Sequence, residues 1–229
     1  AYLSHVFARD FIDTKELLAT VTFDNVDGGV WKQGWPIEID PNKQKMTHVY
    51  VIPFSHNDPG WKQTFNDYFN SHTRSILTSV VEGLSKDSNR KFVWAELSFF
   101  DKWWSSASSE QRSKLKELLA SEQFEFVTGG WVMSDEANPH YYIMIAQLLE
   151  GHEWLRNHVG YRPTKGWSID PFGHSSTMGY FNKLIGFDAM VINRIHYRLK
   201  KELAKNQWLE FFWQPNWAVP GYMQNLAKP

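Results

Sequence analysis

From residue 47 to about residue 206 the chain alternates between short apolar, β-branched runs and longer stretches of helical period. THVYVIPFS (47–55), KFVWAELS (91–98), FEFVTGG (124–130), TKGWSID (164–170) and FDAMVINR (187–194) read as strands. Between the first two, Phe65, Phe69, Ile76, Val80 and Leu84 recur at multiples of three to four residues, which predicts a helix over about 62–84. Ser108 with Gln111 resembles a capping box and opens a helix carrying Leu115, Leu118 and Leu119. A helix over about 140–158 carries Tyr142, Ile145, Ala146 and Leu149. SSTMGYFNKLIG (175–186) reads as a helix stopped by Gly186, and a charged helix runs to about residue 206. This order predicts an α/β fold with a parallel sheet, open or closed into a barrel. Residues 1–46 are less regular: LLATVTFDNV (17–26) reads as a further strand and DGGVWKQGWP (27–36) as a loop.

In parallel β/α sheets, active sites form at the C-terminal edge of the strands. The residues just after each strand therefore matter most. They are His56, Asp58 and Trp61; Asp101, Trp103 and Trp104; Trp131, Asp135 and Glu136; Asp170, Phe172 and His174; and Arg194, His196 and Tyr197. In FSHNDPGW (54–61), Asp58, Pro59 and Gly60 suffice for a turn, but His56 is left over. Residues i and i+2 of a strand share a face, so His56 and Asp58 can converge on one atom, and both types bind zinc. Asp170 is either a turn residue before Pro171 or a third ligand. His174 either reaches that site or caps the next helix; Asp135 and Glu136 are acid/base groups or caps after Pro139. Arg194 is a carboxylate clamp or a solvated strand end, and His140, His152 and His158 read as surface residues.

Composition removes several classes of function. Twenty-four basic against 25 acidic residues give a net charge of −1, and with no basic stripe nucleic acid is not an expected partner. No apolar run reaches the length of a membrane span, and AYLSHVFARDF lacks a signal-peptide pattern. The chain has no cysteine, which excludes disulfides and thiolate metal sites. Aromatic residues make up 16% of the chain, which fits a filled core better than a sugar platform when composition is taken alone.

Six segments carry a resemblance: GGVWKQGW (28–35), HNDPGW (56–61), FVTGGWVMSDEA (126–137), GWSIDPFGHSSTMGY (166–180), INRIHY (192–197) and LEFFW (209–213). Together they resemble glycoside hydrolase family 38, and within it the Golgi α-mannosidase II branch, over nearly all of residues 20–217. The resemblance implies a seven-stranded parallel β/α barrel holding one zinc ion. Here the barrel would be incomplete, with residues 1–46 leading in, 47–217 forming the partial catalytic barrel and 218–229 a divergent tail. His56 and Asp58 match the first two zinc ligands; Asp170 matches a residue that is both ligand and catalytic nucleophile. Trp61 and Phe172 match aromatic walls around the mannose ring, and Arg194 matches an active-site arginine. The implied activity is zinc-dependent, retaining hydrolysis of α-mannosidic bonds in mannose-containing N-glycans. The implied place is the Golgi lumen, with lysosome or secretion as alternatives. Retaining glycosidases need two carboxyl groups roughly 5 Å apart, one nucleophile and one acid/base. A carboxylate beside a divalent cation stays ionised, as a nucleophile must.

The departures from the family pattern are at the C-terminal end. By the resemblance, the acid/base aspartate and the last zinc ligand, a histidine, lie beyond residue 229, and AVPGYMQNLAKP (218–229) no longer looks like the family. The expectation is a fragment of a longer enzyme or a truncated product, with little activity of its own. The alternative is a non-catalytic glycan-binding protein with a partial site. A carbohydrate deacetylase would need a close histidine pair such as H-x-x-x-H, which the sequence lacks.

Overall fold

The computed structural model describes residues 14–23, 29, 32 and 48–213. The described residues fall into two compact units, a larger one built on Val51–Arg194 and a smaller one from parts of Ala1–Tyr50 and Ile195–Gln214. The larger unit carries four short strands: β1 (Phe92–Trp94), β2 (Phe124–Phe126), β3 (Lys165–Ser168) and β4 (Ala189–Ile192). β1 pairs with β2 and β3 with β4, both in parallel. Parallel neighbours need a crossover, and helices supply it. α4 (Leu97–Ser106) and α5 (Ser109–Ala120) connect β1 to β2, α6 (Tyr141–His158) connects β2 to β3, and α7 (Ser176–Leu184) connects β3 to β4. The α/β class and the parallel pairing expected from the alternation are present. Among the described residues the sheets are two-stranded.

Thr128 joins the two pairs where regular pairing stops. Its N–H donates to the Lys165 carbonyl at 2.7 Å, and its Oγ1 accepts from the Trp167 N–H at 2.7 Å. Its φ of +56° lies in the left-handed region, and so does the +70° of Gly129. There a threonine hydroxyl replaces the next rung of the ladder. A Cβ on Gly151 of α6 would lie 2.0 Å from the Gly129 carbonyl oxygen, so only glycine lets α6 approach this turn.

The core is aromatic, as composition favoured. Phe100 contacts the rings of Trp103, Trp104, Phe124, Phe126 and Trp154 at centroid separations of 4.7–6.3 Å. All six are buried. Such offset and edge-on pairs add roughly 0.5–1.5 kcal/mol each beyond the area they bury.

The helices expected over 140–158 and 175–186 form, and the Ser108–Gln111 capping box is present in both directions. The helix expected over 62–84 begins as α2 (Phe65–Tyr68), passes through a π-helical turn at Phe69–Thr73 and continues as α3 (Arg74–Leu84). The charged helix is α8 (Tyr197–Lys205), in the smaller unit.

Three expectations need correction. KFVWAELS is a strand only over β1; Leu97 already opens α4, whose buried Leu97, Phe99, Phe100, Trp103 and Trp104 share one face at spacings of three and four while Asp101, Lys102, Ser105 and Ser106 hold the other. THVYVIPFS forms one parallel bridge, Phe54 to Val93, rather than a strand over its described residues 48–55. Pro53 accepts from the Val93 N–H at 3.1 Å but has no N–H of its own to extend a ladder. The strand expected at 17–26 overlaps α1 (Thr14–Ala19), and residues 20–23 are not strand. TKELLA is rich in helix formers, with Glu16 in the first turn where the helix dipole favours an acid. Residues 24–26, most of the loop at 27–36 and the tail at 218–229 lie outside the described residues.

Candidate metal centre

The polypeptide leaves Phe54 as Ser55-His56-Asn57-Asp58 and turns at Gly60, whose φ is +127°. Asn57, between the two expected ligands, faces the other way. Its Oδ1 accepts from the Thr73 hydroxyl at 2.9 Å and its Nδ2 donates to the Ser55 hydroxyl at 3.0 Å. Thr73 belongs to the π-helical turn, a feature that often marks functional sites. Asn57 thereby anchors the loop and leaves His56 and Asp58 to share the opposite side.

Asp170, two residues past β3, completes a cluster with them. One nitrogen or oxygen from each of His56, Asp58 and Asp170 lies within 4.8 Å of the others. His56 Nε2 is 3.3 Å from Asp58 Oδ1 and 3.3 Å from Asp170 Oδ2. That nitrogen is buried and makes no hydrogen bond. A buried ring nitrogen that faces two carboxylate oxygens without bonding either is what a divalent cation would relieve. The donors are one imidazole and two carboxylates, a set that suits zinc and leaves a position for a substrate oxygen.

Glu96 stands behind His56. It follows β1, is fully buried, and its Oε1 lies 3.0 Å from His56 Nδ1. This carboxylate–histidine contact fixes the ring and leaves Nε2 facing the acids. Without an ion, the hydrogen bond to Glu96 and the charges of Glu96, Asp58 and Asp170 outweigh burial and raise the His56 pKa to about 9. Burial pushes the Glu96 carboxyl up, opposed by its bond to His56. A proton on Nε2 then occupies the place a cation would take.

Arg194, just past β4, holds the other oxygen of Asp170. Its Nε donates to Asp170 Oδ1 at 3.0 Å and its Nη2 donates to the same oxygen. Its guanidinium lies 4.5 Å over the Phe172 ring. Phe172 and Trp61 are 74% and 73% exposed, two open aromatic faces on segments flanking the acids. Lys62 lies over the Trp61 ring at 4.6 Å.

Most of the other strand-end residues make structural contacts. Trp103 and Trp104 are core residues of α4, and Asp101 accepts the Trp154 indole N–H at 2.7 Å. Trp131 packs partly buried against that core. Asp135 is exposed and Glu136 buried, and neither caps α6, which His140 does. Ser175, not His174, caps α7. His196 caps α8 and stacks on Tyr197 at 4.7 Å. His158 stacks on Trp154 and bonds its carbonyl; His152 is half-buried, with Nε2 2.8 Å from the Thr128 carbonyl oxygen, rather than a surface group. Sequence reasoning missed Glu96. A lone acid inside the apolar run FVWAELSFF was the available signal, because a charge is rarely buried there without a partner.

Residues 46–223 match the family model described as glycosyl hydrolases family 38 N-terminal domain. The chain is 49% identical over 204 residues to alpha-mannosidase 2 of Homo sapiens, covering 88% of this chain and 18% of that protein. It is 47% identical over 208 residues to alpha-mannosidase 2 of Arabidopsis thaliana, covering 90% of this chain and 18% of that protein. The chain thus spans under a fifth of the length of these relatives. Among solved structures, an alpha-mannosidase from Enterococcus faecalis V583 aligns with a TM-score of 0.54 at 15% identity, covering 62% of this chain and 16% of that one.

Proposed function

The chain belongs to glycosyl hydrolase family 38, and on that premise we propose that it carries the metal-binding half of the active site of a zinc-dependent, retaining α-mannosidase. The observation that supports this reading is the convergence of His56, Asp58 and Asp170 around the unbonded, buried Nε2 of His56. His56, Asp58 and Asp170 would hold one zinc ion per chain. When bound, that ion would bind sugar hydroxyls and keep the neighbouring carboxylate ionised.

The residues of this chain divide the remaining work. Glu96 orients His56. Arg194 holds Asp170 by one oxygen, which limits its rotation. Asp170 would attack the anomeric carbon as nucleophile while the glycosidic C–O bond breaks and the departing oxygen takes a proton from the acid/base carboxyl. Water, deprotonated by the same carboxyl, would then cleave the glycosyl–aspartyl ester with net retention. Trp61 and Phe172 would pack on the apolar faces of the mannose ring. The acid/base carboxyl and a further ligand would come from outside residues 1–229. The parallel pairs β1–β2 and β3–β4, joined through Thr128, support a β/α barrel of seven strands, to which residues 47–217 would contribute. The proposed substrate is a mannose-containing N-glycan and the proposed place the Golgi lumen, readings that rest on the resemblance to the relatives.

The test is stereochemical. At the protein's full natural length, early product from an aryl α-mannoside followed by proton NMR should be α-mannose. Asp170→Ala should abolish its formation. An initial β anomer would refute double displacement through Asp170.

A further inference from the structure

A second buried polar group ties the same strand exits together without facing the candidate ion. The side chains of His174 and Glu136 are 2% and 1% exposed. His174 Nε2 accepts the backbone N–H of Asn193 at 3.2 Å and that of Arg194 at 3.0 Å. Two donors aimed at one ring nitrogen require its lone pair, so the ring hydrogen lies on Nδ1. Nδ1 makes no hydrogen bond and lies 3.5 Å from Glu136 Oε1. Glu136 accepts from the Ser168 hydroxyl and from the Ser175 N–H. Ser168 ends β3, two residues before Asp170, while Asn193 and Arg194 directly follow β4. The Asn193 side-chain amide adds a bond to the Ile169 carbonyl at 2.8 Å.

We propose that His174 and Glu136 are positioning residues for the reaction: together they fix the exit of β4 so that Arg194 stays on the Asp170 carboxylate. The proposal rests on the reading of Asp170 as nucleophile, but the tie itself is geometric. Charge on Glu136 orients the Nδ1–H of His174. The bare Nε2 then holds two successive peptide N–H groups, and the second belongs to the residue whose guanidinium grips Asp170. The Arg194 side chain is 44% exposed, so water can serve peptide groups released at this rim. Losing the tie should therefore loosen Arg194 locally rather than unfold the sheet. Misplacing a catalytic group by about 1 Å commonly costs about 10²-fold in rate.

The experiment uses the protein at its full natural length. Nitrogen-15 NMR of histidine-labelled protein should find His174 with its hydrogen on Nδ1; a hydrogen on Nε2 alone would overturn the proposal. In His174→Phe, amide exchange at Asn193 and Arg194 should speed up about tenfold, the loss of one hydrogen bond each. Its kcat on an aryl α-mannoside should fall about 10²-fold with KM nearly unchanged. His174→Gln offers an oxygen to both N–H groups and should restore exchange and kcat together. Wild-type exchange and kcat in His174→Phe, or no rescue by glutamine, would overturn the proposal. If His174→Phe does not fold, Glu136→Gln decides. An amide there must turn its NH2 toward a group that also donates, so faster exchange and lower kcat are expected, and wild-type values overturn the tie. A wild-type protein without mannosidase activity would instead sink the family-based mechanism, while the NMR and exchange results still judge the tie.

Discussion

The cluster around Phe100 and the polar rim around His56 sit in the same unit and follow opposite rules. Around Phe100, six aromatic rings interlock, and the indole N–H groups at Trp94, Trp103 and Trp154 all find acceptors. At the rim, His56 Nε2, Glu96 Oε2 and His174 Nδ1 are buried and unbonded, and Glu96 and Glu136 are buried acids. Burying a carboxylate costs several kcal/mol unless partners compensate. The core is therefore built for stability, whereas the rim holds buried polar groups, of which only His56 Nε2 belongs to the cluster that could hold a metal ion. Mutations in the two regions should separate cleanly, with core changes acting on unfolding and rim changes on metal and turnover.

The largest effect should come from Asp170→Asn, which should lower turnover roughly 10⁴-fold or more. Its unfolding free energy, measured by urea titration of the metal-free protein, should move by less than about 1 kcal/mol, since the Asp170–Arg194 pair is partly exposed. The converse is Phe100→Ala, which should cost about 3–5 kcal/mol of stability in the same titration. Below its lowered melting point, zinc affinity should be that of the wild type; a parallel loss of affinity would erase the contrast. Glu96→Gln keeps the contact but removes the charge, and should weaken zinc binding about 10–100-fold in a chelator competition.

The smallest effect is on pH dependence. In the metal-free protein the His56 pKa is raised above its ordinary 6.5 to about 9. A raised pKa contributes stability that is fully present below pH 6.5 and is lost as pH climbs through about 9. Thermal melts of the metal-free form across that window should fall for the wild type and stay flatter for His56→Gln. Equal slopes would show that the acids around His56 do not hold its proton.

Much of this was legible in the residues. The alternation of apolar runs with helical period fixed the order of β1 to β4 and their parallel pairing. The capping box at Ser108 located α5, and His56, Asp58 and Asp170 were readable as a possible ligand set. What was not legible has physical causes. α4 begins three residues after the end of β1 with no glycine or proline between them, so its first apolar residues read as a continuation of the strand. Pro53 breaks the ladder that VYVIPF would otherwise continue. His174 and Glu136 looked like capping or catalytic groups because sequence cannot show that the backbone of Asn193 and Arg194 would come to meet His174.

The central claim is that His56, Asp58 and Asp170 form one metal site, and metal content tests it most directly. At full natural length, elemental analysis after dialysis should find close to one zinc per chain. The double variant His56→Ala with Asp58→Ala should lose it while far-ultraviolet dichroism stays native. Unchanged zinc in that variant would contradict the assignment.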